Sequence, residues 1–212
     1  MNCKTVNNTI PVSNPELKAE IISTKSIISD TTFISLRAMS ADFVYDMKYA
    51  TNDNFLKQAV YDCPECYLRQ KTILSLIEAN KEFITLGYRI KIFDCYRPLS
   101  IQKKMWQIVP NPIYVADPAK GSIHNRGCAV DITLVDSKGK ELDMGTSFDF
   151  FGEASSHNYT NVSEEVKKNR KLLKEIMLKH NFKSFDSEWW HYNLNGGNLE
   201  KLANFNWNCN QE

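Results

Sequence analysis

The segment A-V-D-I-T-L-V at 129–135 places an ionisable side chain at the centre of a β-strand pattern. Successive side chains of a strand point to opposite faces, so Val130, Ile132 and Leu134 share one face while Asp131 lies on the other. We expect the first face to pack into the core and the strand to be half-buried. An ionised carboxylate on such a strand costs free energy unless a cation neutralises it. That cation is either an arginine or lysine side chain or a metal ion.

Helical and strand patterns are mixed along the chain without the regular βαβ order of a parallel sheet. The patterns predict helices at 67–86, from Pro98 onward and at 163–180, and strands at 89–94, 129–135 and 185–194. Gly87 is expected to stop the first helix, and the segment D-S-K-G-K at 136–140 predicts a hairpin turn. The predicted fold class is α+β, with a central antiparallel sheet flanked by helices.

Residues 1–30 are polar and irregular, which predicts an N-terminal arm, and residues 31–212 are long enough to form one domain. The 26 basic and 25 acidic residues leave a net charge of +1. Because no basic stripe stands out, we expect no nucleic-acid partner. No apolar run approaches the roughly 20 residues that cross a bilayer, so we also expect no membrane-spanning segment. The oligomeric state is left open by the sequence.

The cysteines leave the redox compartment open. Cys63 and Cys66 form the one C-x-x-C, and without a second C-x-x-C they do not make a structural zinc site. We expect plain thiols there, with a local disulfide or redox pair as the alternative. The first 30 residues lack the apolar region of a secretion signal, so the sequence as given is expected in the cytoplasm. A periplasmic lipoprotein is the alternative, because Cys3 stands where a processed lipoprotein carries its cysteine.

Two histidines complete a candidate metal site with Asp131. His124 precedes Asp131 by seven residues in the glycine-bearing segment S-I-H-N-R-G, and His191 lies in D-S-E-W-W-H-Y. Two histidines and one aspartate are a full three-ligand set for a catalytic zinc, with the fourth position left for water. Glu188, three residues before His191, has the chemistry of a general base for that water. The remaining histidines, which we do not expect to be ligands, are His157 and His180.

The spacing of Glu188 and His191 requires an irregular strand. On a regular strand these two side chains point to opposite faces. Both reach one metal site only if Glu188 lies at the strand entry, on a bend or on a bulge. We therefore predict an irregularity near residues 187–189.

Arg97 follows the end of the predicted strand at 89–94, beside a proline that stiffens its loop. A guanidinium held at a fixed position can stabilise the oxyanion of a tetrahedral intermediate. Arg97 is therefore a candidate catalytic residue, although an arginine in a loop can also be a plain surface charge.

These motifs resemble those of a known family. S-I-H-N-R-G-C-A-V-D is similar to S-x-H-x-x-G-x-A-x-D, and E-W-W-H is similar to E-x-W-H. Both belong to the zinc D-Ala-D-Ala dipeptidases, the VanX-like branch of the D-alanyl-D-alanine peptidases (M15). The segments at 45–55, 96–98 and 142–151 also resemble this branch, and the similarity covers about residues 30–195. The C-terminal segment N-F-N-W-N-C-N-Q-E lies outside it.

The resemblance implies a fold of the D-Ala-D-Ala peptidase and hedgehog type and one zinc ion per chain, held by His124, Asp131 and His191. It also implies Glu188 as general acid and base, Arg97 as the stabiliser of the transition state, and Ser122 as a substrate contact. In this family an acidic residue binds the free ammonium group of the substrate. Asp149 is the best match to that acid, with Asp143 and Glu153 as alternatives.

The implied reaction is the zinc-dependent hydrolysis of the small D,D-dipeptide D-Ala-D-Ala to two D-alanines, in cell-wall peptide turnover or glycopeptide resistance. Two alternatives stay open. One is a D,D-carboxypeptidase or endopeptidase that acts on peptidoglycan peptides, because such enzymes share the zinc motif. The other is a non-catalytic, zinc-bearing binding module.

Overall fold

The computed structural model describes residues 29–207 and residue 209. Most of the predicted N-terminal arm lies outside the described residues, so the division into an arm and one domain stays a prediction. The strands are β1 (Phe33–Ser35), β2 (Val44–Tyr45), β3 (Tyr67–Arg69), β4 (Tyr88–Asp94), β5 (Ala129–Asp136), β6 (Phe182–Phe185) and β7 (Glu188–Leu194). The α-helices are α1 (Leu36–Met39), α2 (Gln70–Thr85), α3 (Leu99–Ile108) and α4 (Glu164–Lys179).

A five-stranded sheet in the order β2-β4-β5-β7-β6 forms the centre of the fold, and β1 pairs with β3 in a separate two-stranded sheet. The α+β class is confirmed. We predicted an antiparallel sheet, but the sheet is mixed, because the short edge strand β2 pairs with β4 in parallel. All its other pairs are antiparallel. Helices α2 and α4 pack against the sheet and against each other.

The central strand β5 is buried on both faces, not half-buried as predicted. Val130, Ile132 and Leu134 belong to the hydrophobic core, as expected. Thr133 and Val135 on the other face are also fully covered. An ionised Asp131 in this position is therefore enclosed more completely than the alternating pattern indicated.

Three predicted helices are present with small changes at their ends. Helix α4 begins after Ser163, whose hydroxyl oxygen accepts a hydrogen bond from the Val166 amide at 3.2 Å. Helix α3 follows Pro98 as expected. The prediction of helix from residue 67 is wrong for the first three residues, because β3 pairs there with β1. This pairing with a distant segment overrides the local helical periodicity.

The predicted last strand at 185–194 is two strands. Strands β6 and β7 form a hairpin with a turn at residues 186–187. The predicted irregularity near 187–189 is confirmed, because the register shifts between Ser184, which pairs with Tyr192, and Phe185, which pairs with Glu188. Both tryptophans that follow Glu188 are buried, as a break in the pleat allows.

The expectation of plain thiols at the C-x-x-C is wrong, and so is the alternative of a local disulfide. Cys63 is bonded to Cys209, and Cys66 is bonded to Cys95. The two bonds join segments that are far apart in sequence and leave Cys128 as the free cysteine among the described residues. Within that same part of the chain, the structure has no helix with the length and apolar character needed to cross a membrane.

Candidate metal centre and active site

The fold brings His124, Asp131 and His191 together at one point of the sheet. Asp131 and His191 are directly paired residues of β5 and β7. His124 opens a short 3-10 turn, His124–Arg126, just before β5. The Asp131 carboxylate lies 2.9 Å from His191 Nδ1 and 3.4 Å from His124 Nε2, and the two ring nitrogens are 3.2 Å apart. One potential ligand atom from each residue lies within 4.8 Å of the other two.

Gly127 ends the turn that carries His124. Its φ of +68° lies in the left-handed region, which a glycine adopts without strain. A Cβ atom at this position would also lie 2.2 Å from the Phe33 ring. The glycine of the S-x-H-x-x-G pattern is therefore required by both the turn and the packing beneath it.

Partners on the outer side of each histidine set its tautomer. His124 Nδ1 lies 2.6 Å from the Cys95 carbonyl oxygen, and His191 Nε2 lies 2.9 Å from Asn193 Oδ1. Because these oxygens only accept hydrogen bonds, the outer nitrogens carry the protons. The inner nitrogens and the Asp131 carboxylate are then all acceptors that face one another. Such a cluster needs a cation, and its two histidines and one aspartate fit zinc.

The electrostatics of Asp131 agree with this geometry. Burial alone disfavours its charge, but positive charge in the cluster, which His124 and His191 contribute when they are protonated, holds the pKa of the Asp131 carboxyl far below its usual range. The carboxylate is therefore ionised and available as a ligand.

Glu188 begins β7 and lies at the edge of the cluster. Its Oε2 atom is 4.0 Å from His191 Nδ1. Burial raises the pKa of the Glu188 carboxyl, and the negative charge of Asp131 adds to this effect against the opposing pull of His191. A carboxyl with a raised pKa next to a metal cluster is suited to take up and release a proton.

Arg97 is a buried residue and not a surface charge. Asp94 Oδ2 accepts hydrogen bonds from its Nε at 3.2 Å and its Nη2 at 2.7 Å. Gln102 Oε1 accepts a third hydrogen bond, from Nη1 at 3.0 Å. The other carboxylate oxygen of Asp94 accepts a hydrogen bond from the Tyr61 hydroxyl at 2.7 Å. These contacts fix the plane of the guanidinium.

The residues that hold Arg97 were not predicted from the sequence. Asp94 ends β4 and stands three residues before Arg97 in D-C-Y-R, so their spacing was the available signal. Gln102 lies one turn into helix α3, and Tyr61 comes from a distant loop with no signal in its local pattern.

The fixed orientation of the Arg97 guanidinium can be tested by substitution. Arg97→Lys should lower kcat by about 100-fold or more, the scale of losing one oxyanion donor, because an ammonium cannot reproduce the planar fork held by Asp94 and Gln102. Steady-state kinetics on a D,D-dipeptide would measure this change. Arg89→Lys, on strand β4, is the matched control and should keep full activity. Equal activity of the two variants would contradict the role of Arg97.

A cleft of about 350 Å³ opens over the cluster and contains all of the predicted site residues. Ser122 lines the cleft, and its hydroxyl oxygen accepts a hydrogen bond from the His124 amide at 3.1 Å. Asp149 lines the same cleft, with the Tyr49 hydroxyl 3.1 Å from each of its carboxylate oxygens. The alternatives Asp143 and Glu153 are exposed and lie in other grooves.

Asp149 is a half-buried acid, and the Tyr49 hydroxyl is its one side-chain hydrogen-bond donor among the described residues. Burial raises the pKa of its carboxyl well above the usual range, and the charge of Asp131 raises it further. Its φ of +59° is uncommon for a residue with a side chain and costs free energy. A cationic group of a ligand in the cleft would offset the cost of ionising this carboxyl.

The other two histidines lie away from the cluster, as expected. His180 ends helix α4, and its Nε2 atom is 2.7 Å from Glu82 Oε2. His157 packs beside Tyr192 in a separate groove, and burial lowers its pKa to about 4.

This chain is similar to known D-Ala-D-Ala dipeptidases. The family model described as D-ala-D-ala dipeptidase (Peptidase_M15) matches residues 29–207. A protein of Escherichia coli (strain K12) named D-alanyl-D-alanine dipeptidase is 38% identical over 168 residues, which are 79% of this chain and 87% of that protein. A protein of the same name from Enterococcus faecalis (strain ATCC 700802 / V583) is 31% identical over 76% of this chain and 91% of its own length.

Among solved structures, the chain is similar to a mutant of the vancomycin resistance D,D-pentapeptidase VanY in complex with Zn(II). The TM-score is 0.39 and the sequence identity is 15%, over 65% of this chain and 82% of that one.

Proposed function

Because this chain belongs to the D-Ala-D-Ala dipeptidase family of M15 peptidases, we propose that it hydrolyses the free dipeptide D-Ala-D-Ala to two D-alanines, with one zinc ion held by His124, Asp131 and His191. Membership of this family makes the chain an enzyme of the D,D-peptidase type. The alternative of a non-catalytic binding module is thereby set aside. The observation that carries the choice of a free dipeptide is the half-buried Asp149 side chain, which lies in the same cleft as the metal cluster and Glu188.

Zinc bound by the three ligands would supply a Lewis acid for the scissile carbonyl and lower the pKa of a water molecule from about 15.7 towards 7. The protein residues supply proton transfer and orientation. The Glu188 carboxylate takes a proton from the attacking water and then gives it to the departing amine. The Arg97 guanidinium donates hydrogen bonds to the oxygen of the scissile carbonyl as negative charge develops there.

Asp149 selects the free amine. A ligand ammonium next to Asp149 satisfies a carboxyl that has only the Tyr49 hydroxyl as a hydrogen-bond donor among the described residues. A longer peptide has an amide in place of the ammonium and leaves the carboxylate without a counter-charge. A site built around a buried polar partner rejects ligands that lack the matching group by large factors. This preference separates a dipeptidase from a carboxypeptidase on the same scaffold.

The experiment that tests the function compares two substrates. The purified, zinc-loaded protein is expected to release D-alanine from D-Ala-D-Ala but not from N-acetyl-D-Ala-D-Ala, and a chelator should abolish the release. Cleavage of the acetylated peptide would move the assignment to a D,D-carboxypeptidase. No cleavage of either substrate would contradict the proposal.

Replacing the acid tests the recognition of the amine directly. Asp149→Asn should lower kcat/KM for D-Ala-D-Ala by at least about 100-fold, because the neutral amide loses the charge that pairs with the ammonium. It should also reduce the ratio of kcat/KM for the free dipeptide to kcat/KM for the acetylated peptide. Asp143→Asn, at the exposed alternative position, is the matched control and should retain both rates. Wild-type kcat/KM for D-Ala-D-Ala in the Asp149→Asn variant would exclude this residue as the site that binds the ammonium group.

A further inference from the structure

We propose that the two disulfide bonds hold the His124 loop (residues 121–128) and the Arg97 loop (residues 95–98) in their active geometry. The enzyme would then require oxidative maturation and would lose zinc affinity when the bonds are absent. This inference rests on the proposed zinc-dependent function. It concerns four cysteines that take no part in the chemistry: Cys63, Cys66, Cys95 and Cys209.

The Cys66–Cys95 bond lies directly behind a metal ligand. Both cysteines are fully buried, and their Cα atoms are 5.4 Å apart. The carbonyl oxygen of Cys95 is the acceptor that lies 2.6 Å from His124 Nδ1. The bond therefore fixes the backbone atom that orients the imidazole. Partners of this kind contribute about 10–100-fold to metal affinity or activity.

The same bond anchors the loop of Arg97. Cys95 stands two residues before Arg97, and the amide of the intervening Tyr96 donates a hydrogen bond to the Tyr67 carbonyl at 3.0 Å. Strand β3 begins at Tyr67, immediately after Cys66. The disulfide and this hydrogen bond together fasten the loop to β3 at two adjacent points.

The Cys63–Cys209 bond fastens the C-terminal segment, defined here as residues 203–207, across the back of the same two loops. The Ala203 amide donates a hydrogen bond to the Asn125 carbonyl at 2.9 Å, and the Leu99 amide donates one to the Ala203 carbonyl at 3.2 Å. The ring of Phe205 stacks on Tyr96 with a centroid distance of 4.6 Å and an interplanar angle of 15°. The segment thus contacts both the chain next to His124 and the chain next to Arg97.

A side-chain bridge links the two loops beneath the C-terminal segment. Asn125 Nδ2 donates a hydrogen bond to the Arg97 carbonyl at 2.7 Å, and the Arg97 amide donates one to the His124 carbonyl at 3.1 Å. Movement of either loop is therefore transmitted to the other. The sequence separations of the two disulfides, 29 and 146 residues, make both of them long-range constraints on this unit.

Formation of each bond removes two protons and two electrons from a pair of thiols. A disulfide oxidant, such as oxidised glutathione or a thiol–disulfide oxidoreductase, accepts them and is reduced to two thiols. Such bonds form and persist in oxidising compartments. The proposal therefore favours the periplasmic alternative over the cytoplasmic expectation for this chain.

The test begins with peptide mapping of the protein refolded with oxidised glutathione, which should yield the linked pairs 63–209 and 66–95. Zinc affinity is then measured by competition with a chromophoric chelator, without substrate. The Cys66→Ala/Cys95→Ala variant should bind zinc about 10–100-fold more weakly than the wild type. Its kcat should be lower than that of the wild type, while its KM should stay unchanged. The Cys128→Ala variant, at the buried free cysteine, is the matched control and should bind zinc as the wild type does.

A merely structural role gives a different result. It would lower the melting temperature of the double variant. The folded fraction of that variant, measured by circular dichroism, would still have the zinc affinity and kcat of the wild type. That outcome, or the absence of the linked peptides, would overturn the proposal. If the double variant does not fold, the folded wild type is reduced with a water-soluble phosphine. The phosphine gives two electrons to each disulfide, and one water molecule supplies the oxygen of the phosphine oxide and the two protons of the thiols. Zinc affinity that is unchanged after complete reduction would equally overturn it.

These readouts separate the two proposals. Weaker zinc binding in a protein that cleaves no dipeptide would retain the role of the disulfides and contradict the proposed function. Cleavage of D-Ala-D-Ala with no effect of the disulfides would do the reverse.

Discussion

Glu188→Gln is expected to reduce kcat for D-Ala-D-Ala by at least about 100-fold while zinc remains bound. Glutamine has nearly the same shape as glutamate but cannot take a proton from water or return it to the leaving amine. Glu188 is outside the group of three converging ligand atoms, although it lies 4.0 Å from His191 Nδ1. The measurement pairs steady-state kinetics with the zinc content of the purified variant.

Glu175→Gln is the control for this substitution, because it makes the same change on the exposed side of helix α4. It should leave kcat and zinc content unchanged. If Glu188→Gln kept wild-type activity, another group would have to be the base. If it lost its zinc, Glu188 would belong to the ligand set.

The geometry of this site could be predicted from the sequence only where local spacing determines it. The strand alternation around Asp131 gave the core face correctly, and the three-residue spacing of Glu188 and His191 required the irregularity that β7 contains. Both are consequences of the two-residue period of a strand. The burial of Asp131 on both sides depends on which elements cover the sheet, and this is not encoded in the local pattern.

The residues that orient the metal ligands and Arg97 were not predicted, because most of them are far away in sequence from the residues that they contact. Asn193 was predictable in principle, since it stands two residues after His191 on the same face of β7. Tyr61 and the disulfide partners come together only through the tertiary fold. The C-x-x-C pattern led us to expect plain thiols, with a local disulfide or redox pair as the alternative, but each of its cysteines is bonded to a distant partner.

His124→Ala should abolish tight zinc binding and, with it, the hydrolysis of D-Ala-D-Ala. The substitution leaves Asp131 and His191 as two ligands, fewer than the three protein ligands of a catalytic zinc site. We expect zinc affinity to fall by more than the roughly 100-fold that marks the loss of an orienting partner alone. Zinc content after dialysis against a weak chelator measures the effect. Full occupancy in this variant would remove His124 from the ligand set.

The His124→Ala variant can also be tested without an activity assay, through the effect of zinc on the melting temperature. A metal that binds only the folded state stabilises it by about 2.7 kcal/mol when its free concentration is 100 times the dissociation constant. The wild type should therefore melt at a higher temperature with added zinc, whereas His124→Ala should not respond. His180→Ala, which removes a histidine paired with Glu82 away from the cluster, should lose some stability yet keep the full zinc-dependent shift. A shift of equal size in both variants would mean that zinc stabilises the fold without binding at His124.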